Sequence, residues 1–139
     1  MKFIKYIFSA VILFAAVCAI SSCRVASHNG KLDGQWQIMS IEETATGLSA
    51  APETRSYLCF YLHILQAYGP TYRLTANMTY DKEEEVLTAD FPYISQGDVD
   101  KNLKPYGICS NPVTIEVVKA DSKELVLRTP ETVITCRRF

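Results

Sequence analysis

The sequence predicts an all-β domain of seven or eight short antiparallel strands that follows an N-terminal signal helix. Three observations support this class. Several short segments alternate between apolar and polar residues with a period of two. Clusters of turn-forming residues separate these segments, and no long segment has the periodicity of an amphipathic helix. Short strands at this spacing are typical of a β-sandwich or a β-barrel.

The first 22 residues have the composition of a secretory signal peptide. Lys2 and Lys5 precede an apolar run from Ile7 to Ile20, and the small residues Ser21 and Ser22 follow it. This order of basic, apolar and small residues is typical of such signals. The run is shorter than the roughly 20 apolar residues that a membrane-spanning helix needs. We therefore assign residues 1–22 to a signal peptide that is removed.

The letters ISSC, which end at Cys23, resemble the lipobox of bacterial lipoproteins. The resemblance implies cleavage before Cys23, a diacylglycerol on its thiol and a third acyl chain on the new amino terminus. Each buried CH₂ contributes about 0.8 kcal/mol to membrane binding, so these chains would hold the protein stably at a bilayer. Residues 23–31 then form the lipidated cysteine and a flexible tether. The alternative is an ordinary secretory signal with an incidental cysteine.

Localisation follows from the same segment. Arg24, and not Asp, stands after the cysteine. The inner-membrane retention signal known from some bacterial lipoproteins is therefore absent, and we expect residence in the bacterial cell envelope, at the outer membrane. Which face of that membrane the protein occupies stays open.

The remaining composition describes one small domain over residues 32–139. Without residues 1–22 the chain keeps 12 basic and 15 acidic side chains, which gives no reason to expect nucleic-acid binding. Cys59, Cys109 and Cys136 are an odd number of thiols, and no CxxC spacing favours a zinc site. One disulfide and three free thiols both remain open.

The first half of the domain supplies three predicted strands. Residues 32–42 alternate, which places Trp36, Ile38 and Ser40 on one face. Residues 57–69 are aromatic and aliphatic throughout, like a single strand buried on both faces, although a helix is an alternative. Residues 72–80 alternate most clearly and predict a half-buried strand.

The second half supplies four more strands. After a charged turn at 81–85, short strands are expected at 86–91, within a hairpin over 113–128, and at the C-terminus from 132. Residues 92–112 contain three Pro, two Gly and two Asn. A loop of this length is often functional or mobile, and an eighth strand could lie inside it.

Two short motifs resemble the lipocalins. Gly34 and Trp36 match the G-x-W of the first lipocalin strand, and a basic residue near the C-terminus matches the arginine that lies across that tryptophan. The resemblance, closest to small lipocalin-like lipoproteins of bacterial envelopes, implies an up-and-down antiparallel β-barrel of about eight strands. If Ile134 and Cys136 point inward, Arg138 does so too, and we therefore prefer Arg138 over Arg137 as the residue that closes the barrel.

Function is predicted as binding without catalysis. The sequence contains no motif that predicts a catalytic residue, a metal site or a cofactor. Although Cys109 and His63 could form a nucleophile–base pair, nothing in their spacing brings them together. We expect a concave, hydroxyl-rimmed site at the barrel end bounded by residues 92–112. The candidate ligand-binding residues are Tyr57, Tyr61, Tyr72, Leu74, Met78, Tyr80, Tyr93 and Tyr106.

Two partners are compatible with this prediction, apart from the membrane that Cys23 would engage. The first is a small apolar or amphipathic ligand held by the barrel. The second is a protein or glycan of the envelope, bound by the loops of a barrel whose interior is filled by its own side chains.

Overall fold

The computed structural model describes residues 1–7, 9, 11–12 and 27–139. Residues 2–7, 9, 11 and 12 are helical. Across these described segments, no helix has both the length and the apolar character required to cross a bilayer. Cys23 lies outside the described residues, so its acylation stays a prediction.

Within residues 27–139, nine antiparallel strands form one sheet that closes on itself. Eight of them make the barrel wall, and the pairing of the first strand with the last completes it. The remaining strand has only two residues. It pairs with the second half of the first strand, beyond the stretch that pairs with the neighbouring barrel strand. The predicted up-and-down barrel of about eight strands is confirmed. The strands are β1 (Gly34–Glu43), β2 (Ser49–Ala50), β3 (Tyr57–Tyr61), β4 (Ile64–Tyr68), β5 (Arg73–Asp81), β6 (Val86–Asp90), β7 (Val113–Ala120), β8 (Glu124–Arg128) and β9 (Thr132–Arg138).

The segment 57–69 is a hairpin, and its prediction as one strand is wrong. Strands β3 and β4 pair from Tyr57–Tyr68 to Tyr61–Ile64, and Leu62 and His63 form a two-residue turn. Leu62 has a φ of 52°, a left-handed conformation that such turns require but that leucine seldom adopts. The eighth barrel strand therefore comes from this hairpin.

The segment 91–112, which we name the cap, is helical in part and contains no strand. Its elements are a 3₁₀ helix at Gln96–Asp98, a short helix α1 at Val99–Asn102 and a second 3₁₀ helix at Lys104–Tyr106. The sequence left open an eighth strand inside residues 92–112, and the structure has none there. A further 3₁₀ helix, Gly30–Leu32, precedes β1.

A β-bulge in β1 changes which side chains point inward. Trp36 and Ile38 are buried as predicted, but the pairing with β9 shifts by one residue between Ile38 and Ser40. A bulge reverses the alternation beyond it. Ile41 therefore packs against the core, and the prediction that Ser40 shares the inward face of Trp36 is wrong.

Apolar side chains fill the interior of the barrel. The buried cluster is continuous and includes large side chains such as Trp36, Phe60 and Phe91, all almost inaccessible to solvent. An eight-stranded barrel is just wide enough for such filling. Leu103 and Ile108 of the cap belong to the same cluster, so the cap closes one end of the barrel, which we name the capped end.

Asn111 ties the two ends of the cap together, and Thr132 joins the cap to the barrel. Its side chain accepts a hydrogen bond from the Phe91 amide at 2.9 Å and donates to the carbonyls of Phe91 and Ile94 at 2.9 and 2.8 Å. Gln96 donates to the Asn111 carbonyl, and Thr132 of β9 donates to the Gly107 carbonyl. Buried polar groups satisfied in this way hold the cap in one position.

Candidate functional site

Arg138 and Trp36 close the barrel at the end opposite the cap, which we name the floor. The Arg138 guanidinium carbon lies 3.9 Å from the centroid of the indole, a cation–π geometry. Arg138 also donates to the carbonyls of Asp33 at 2.7 Å and Lys31 at 3.1 Å. The indole NH donates to the Leu32 carbonyl at 2.9 Å. The floor is thus a structural closure made of a buried indole and a half-buried, hydrogen-bonded guanidinium.

Gly34 and Asn29 complete the floor. Gly34 has a φ of 129°, and a Cβ at this position would overlap the guanidinium of Arg138. The Asn29 side chain donates to Asp33 at 2.6 Å and to the Leu62 carbonyl at 2.9 Å. Asn29 is buried. Asn29, which lies in the segment assigned to the tether from sequence, is therefore held in the floor.

Three of the eight predicted ligand-binding residues lie away from the interior. Tyr57 and Tyr61 alternate with the inward-pointing Leu58 and Phe60, so both lie on the outer wall. Tyr57 stacks on Tyr68 with ring centroids 5.1 Å apart. Tyr93 is 95 % exposed.

The other five divide between the interior and the capped end. Leu74 and Tyr80 are partly buried against the core, and Met78 is buried within it. Burial raises the pKa of the Tyr80 phenol. Tyr72 and Tyr106 meet in a small cleft of about 120 Å³ at the capped end, where burial also raises the pKa of Tyr106. The eight residues do not form one site.

A larger cleft lies between the β1–β3 connection, residues 44–56, and the cap. Its volume is about 580 Å³. A second cleft of about 340 Å³ shares Ile41, Glu43, Asp100 and Lys104 with it. We name the two clefts together the capped-end groove. It lies at the end where the sequence predicts a concave site.

The groove has an apolar base and a charged rim. Leu48 is 70 % exposed there, beside Ala50, Pro52 and Pro105. Apolar clefts with a few polar groups at their edge are the usual form of ligand sites. The rim carries one basic and four acidic side chains: Lys104, Glu43, Glu53, Asp100 and Glu131.

Sequence reasoning did not identify the residues of this groove. The signal was present in the connection from Thr44 to Ser56, a long segment without a periodic apolar pattern that ends before an aromatic strand. The apolar Leu48 stands alone among its polar and small residues, where it contributes to no periodic pattern. Only the folded chain shows that this connection faces the cap.

The three described thiols are free, which settles the alternative left open by their odd number. Burial raises the pKa of all three, that of Cys136 to about 12. Such thiols are poor nucleophiles at neutral pH. Cys109 lines the groove, whereas His63 lies in the β3–β4 turn at the floor, with its ring centroid 4.8 Å from that of His28. Cys109 and His63 therefore do not form a nucleophile–base pair.

The described residues were also considered for a metal site. Over residues 27–139 and the short described stretches before them, no group of three or more His, Cys, Asp or Glu side chains could hold a metal ion.

Comparison with known proteins gave a family match and two structural neighbours. A family model described as a lipocalin-like domain matches residues 18–139. A lipocalin-like protein from Bacteroides uniformis ATCC 8492 superposes with a TM-score of 0.64 at 18 % identity, covering 79 % of this chain and 100 % of that one. An uncharacterized protein from Bacteroides eggerthii DSM 20697 gives a TM-score of 0.61 at 14 % identity, covering 78 % and 99 %. A search of curated proteins found no match.

Proposed function

The chain belongs to the lipocalin-like domain family, and from this premise we propose that it is a non-enzymatic binding module of the bacterial cell envelope. It binds an apolar or amphipathic ligand in the capped-end groove, and acyl chains on Cys23 hold it at the outer membrane. The barrel fold of this family is a binding scaffold in general; the place of binding and the anchor are our proposals.

The capped-end groove is the observation that carries the proposal. Its clefts of about 580 and 340 Å³ adjoin each other, beside an interior already occupied by side chains. An exposed leucine at its base costs free energy in water, and this cost disappears when a ligand covers the side chain. A ligand therefore finds more apolar surface to contact in the groove than in the filled interior of the barrel.

The second candidate is a protein or glycan of the envelope as the bound partner. The filled interior favours it, because a filled barrel leaves the connecting segments as the binding surface. Both candidates use the capped end, and they differ in the size of what is bound.

Ligand binding at the groove should raise the thermal stability of the full-length protein. A ligand present at 100 times its Kd adds about 2.7 kcal/mol to the native state. We would screen lipids, sterols and small glycans, and then repeat each positive result with Leu48→Ser and Val118→Ser. Val118 is an exposed apolar residue of β7, outside the groove. Stabilisation lost only in Leu48→Ser supports the proposal, whereas equal stabilisation of both variants places the ligand elsewhere.

Anchoring should depend on Cys23. We expect Cys23→Ser to release the protein from the membrane fraction or to leave the signal peptide attached, because the thiol and the new amino terminus are the predicted acylation points. Fractionation and intact mass measure both results. Cys18→Ser, within the predicted signal peptide, is the control and should leave processing unchanged. An unchanged mass and unchanged membrane extraction of Cys23→Ser would contradict the lipoprotein assignment.

A further inference from the structure

We propose that the capped-end groove binds an extended cationic peptide segment with alternating basic and apolar residues. This inference rests on the proposed function and names the class of its ligand. Three features of the groove carry it: its exposed apolar base, the free edge of strand β2 and the excess of carboxylates along its rim.

The apolar base and the strand edge favour a peptide over a compact ligand. Ser49 and Ala50 line the groove as strand β2. Within the described chain, β2 stands last in the sheet order and pairs with β1 only. Its second edge can therefore accept an extended segment by strand addition, with backbone hydrogen bonds for affinity and side-chain contacts for selectivity. Alternate side chains of that segment would face Leu48 and the base.

The rim favours positive charge on the partner. Glu43, Asp100 and Glu131 are exposed around the cleft that Lys104 also lines, and Glu53 extends the acidic rim along the neighbouring cleft. Among the described residues, none of these four carboxylates forms an ion pair with a basic side chain. The rim thus carries a net negative charge that the fold itself does not neutralise, and complementary charge on a partner raises both selectivity and the rate of association.

The pKa of the half-buried Cys109 thiol responds to the negative charge of the rim. Burial is the main cause of its raised pKa, and the carboxylates of Glu131, Asp100 and Glu43 raise the pKa further, whereas Lys104 lowers it. The acidic groups therefore act on a common point inside the second cleft. A peptide ammonium group placed there would be attracted by the same groups.

The test uses the full-length protein in zwitterionic nanodiscs, with empty nanodiscs as the blank, and the peptide acetyl-KLKLK-amide. Isothermal titration calorimetry should show binding that weakens as the NaCl concentration rises, since exposed charges are screened by salt. Acetyl-ELELE-amide should bind about tenfold or more weakly than the basic peptide, because it places like charges against the rim. Equal affinity for the two peptides would overturn the proposal.

Two charge variants with the same change in net charge separate the groove from the protein as a whole. Glu43→Gln/Glu131→Gln should weaken KLKLK binding by about 2- to 30-fold, the range for the loss of two exposed ion pairs. Glu83→Gln/Glu84→Gln alters the β5–β6 turn at the floor, where only the backbone amides of these residues bond to Asp81. This control should leave the affinity unchanged. Equal losses in both variants would mean general electrostatic attraction and would overturn the assignment to the groove.

Two further probes test the peptide and the strand edge. Hexylammonium carries a cation and an apolar chain without a peptide backbone, and KLKLK with N-methylated leucines lacks the central backbone donors. We expect both to bind about tenfold more weakly than KLKLK, as loss of one or two backbone hydrogen bonds predicts. Affinity for either probe equal to that for KLKLK would overturn strand addition.

The outcomes distinguish this inference from the proposed function. Suppose that acidic or neutral amphipathic ligands stabilise the protein, that Leu48→Ser abolishes this effect, and that KLKLK does not bind. The groove is then a binding site, and the assignment of a cationic peptide as its ligand is wrong. If no ligand of any charge binds through Leu48, both proposals fail.

Discussion

Trp36→Ala is expected to lower the free energy of unfolding by about 3–5 kcal/mol, as truncation of a buried tryptophan does. The indole is 0 % exposed, and its NH is bonded to Leu32. Its removal leaves a cavity beneath Arg138 and a carbonyl without its donor, so the contact of the 3₁₀ helix Gly30–Leu32 with the floor is lost as well. Urea unfolding followed by circular dichroism measures the effect, because Trp36 is the only tryptophan and its fluorescence disappears with it.

A double-mutant cycle with Arg138→Ala tests whether the two groups act together. Arg138→Ala alone should cost about 1–3 kcal/mol, and part of that cost, about 0.5–2 kcal/mol, should vanish in the Trp36→Ala background. Arg137→Ala is the matched control: Arg137 is exposed and bonds to Gln37 on the outer wall, so its effect should be small and additive. Additive losses for Arg138 and Trp36 would show that the cation–π contact contributes nothing to stability.

Gly107→Ala is expected to destabilise the protein by about 2–5 kcal/mol, the sum of overpacking and left-handed strain. Gly107 has a φ of 83° where the second 3₁₀ helix of the cap ends. A Cβ there would stand 2.7 Å from Ile134 Cγ1 and 3.3 Å from Ile41 Cγ2, so either the cap or these buried side chains must shift. Thermal and urea unfolding measure the loss.

Gly47→Ala separates the two causes of this effect. Gly47 also has a positive φ, 69°, but a Cβ there would meet nothing within 4 Å. We expect it to cost only about 1–2 kcal/mol, the strain of a left-handed residue. Equal losses for Gly107→Ala and Gly47→Ala would mean that the cap is not packed tightly on the barrel.

Much of the barrel wall follows from alternation alone. In β5 the polar residues Asn77 and Thr79 point outward and Ala76 and Met78 point inward, because a strand with one buried face requires a period of two. The hairpin at Leu62 and His63 escaped prediction since neither residue is a usual turn former at positive φ. A continuous apolar run does not show where the chain reverses.

The structure of the cap and of the groove depends on contacts between residues that are distant in sequence. A local sequence pattern does not reveal such contacts. The helical turns of residues 96–106 are too short to show helical periodicity, and their positions follow from anchors such as Asn111 that bond across many residues. Leu48 and Asp100 are far apart in sequence, and they line one cleft only because the barrel brings two connections to the same end. The bulge in β1 likewise shows no distinctive residue, yet it turns Ile41 inward beneath that cleft.

The position of Asn29 in the floor determines which pole of the barrel would lie nearer to an anchor at Cys23. The chain emerges from the barrel at the floor, six residues after Cys23, while the groove opens at the opposite pole. Strand β1 has ten residues, so the two poles are separated by about 25 Å along a tilted strand. An acylated Cys23 would thus keep the floor next to the lipid headgroups and present the groove to the aqueous side. Molecules arriving from solution would reach it without crossing the membrane surface.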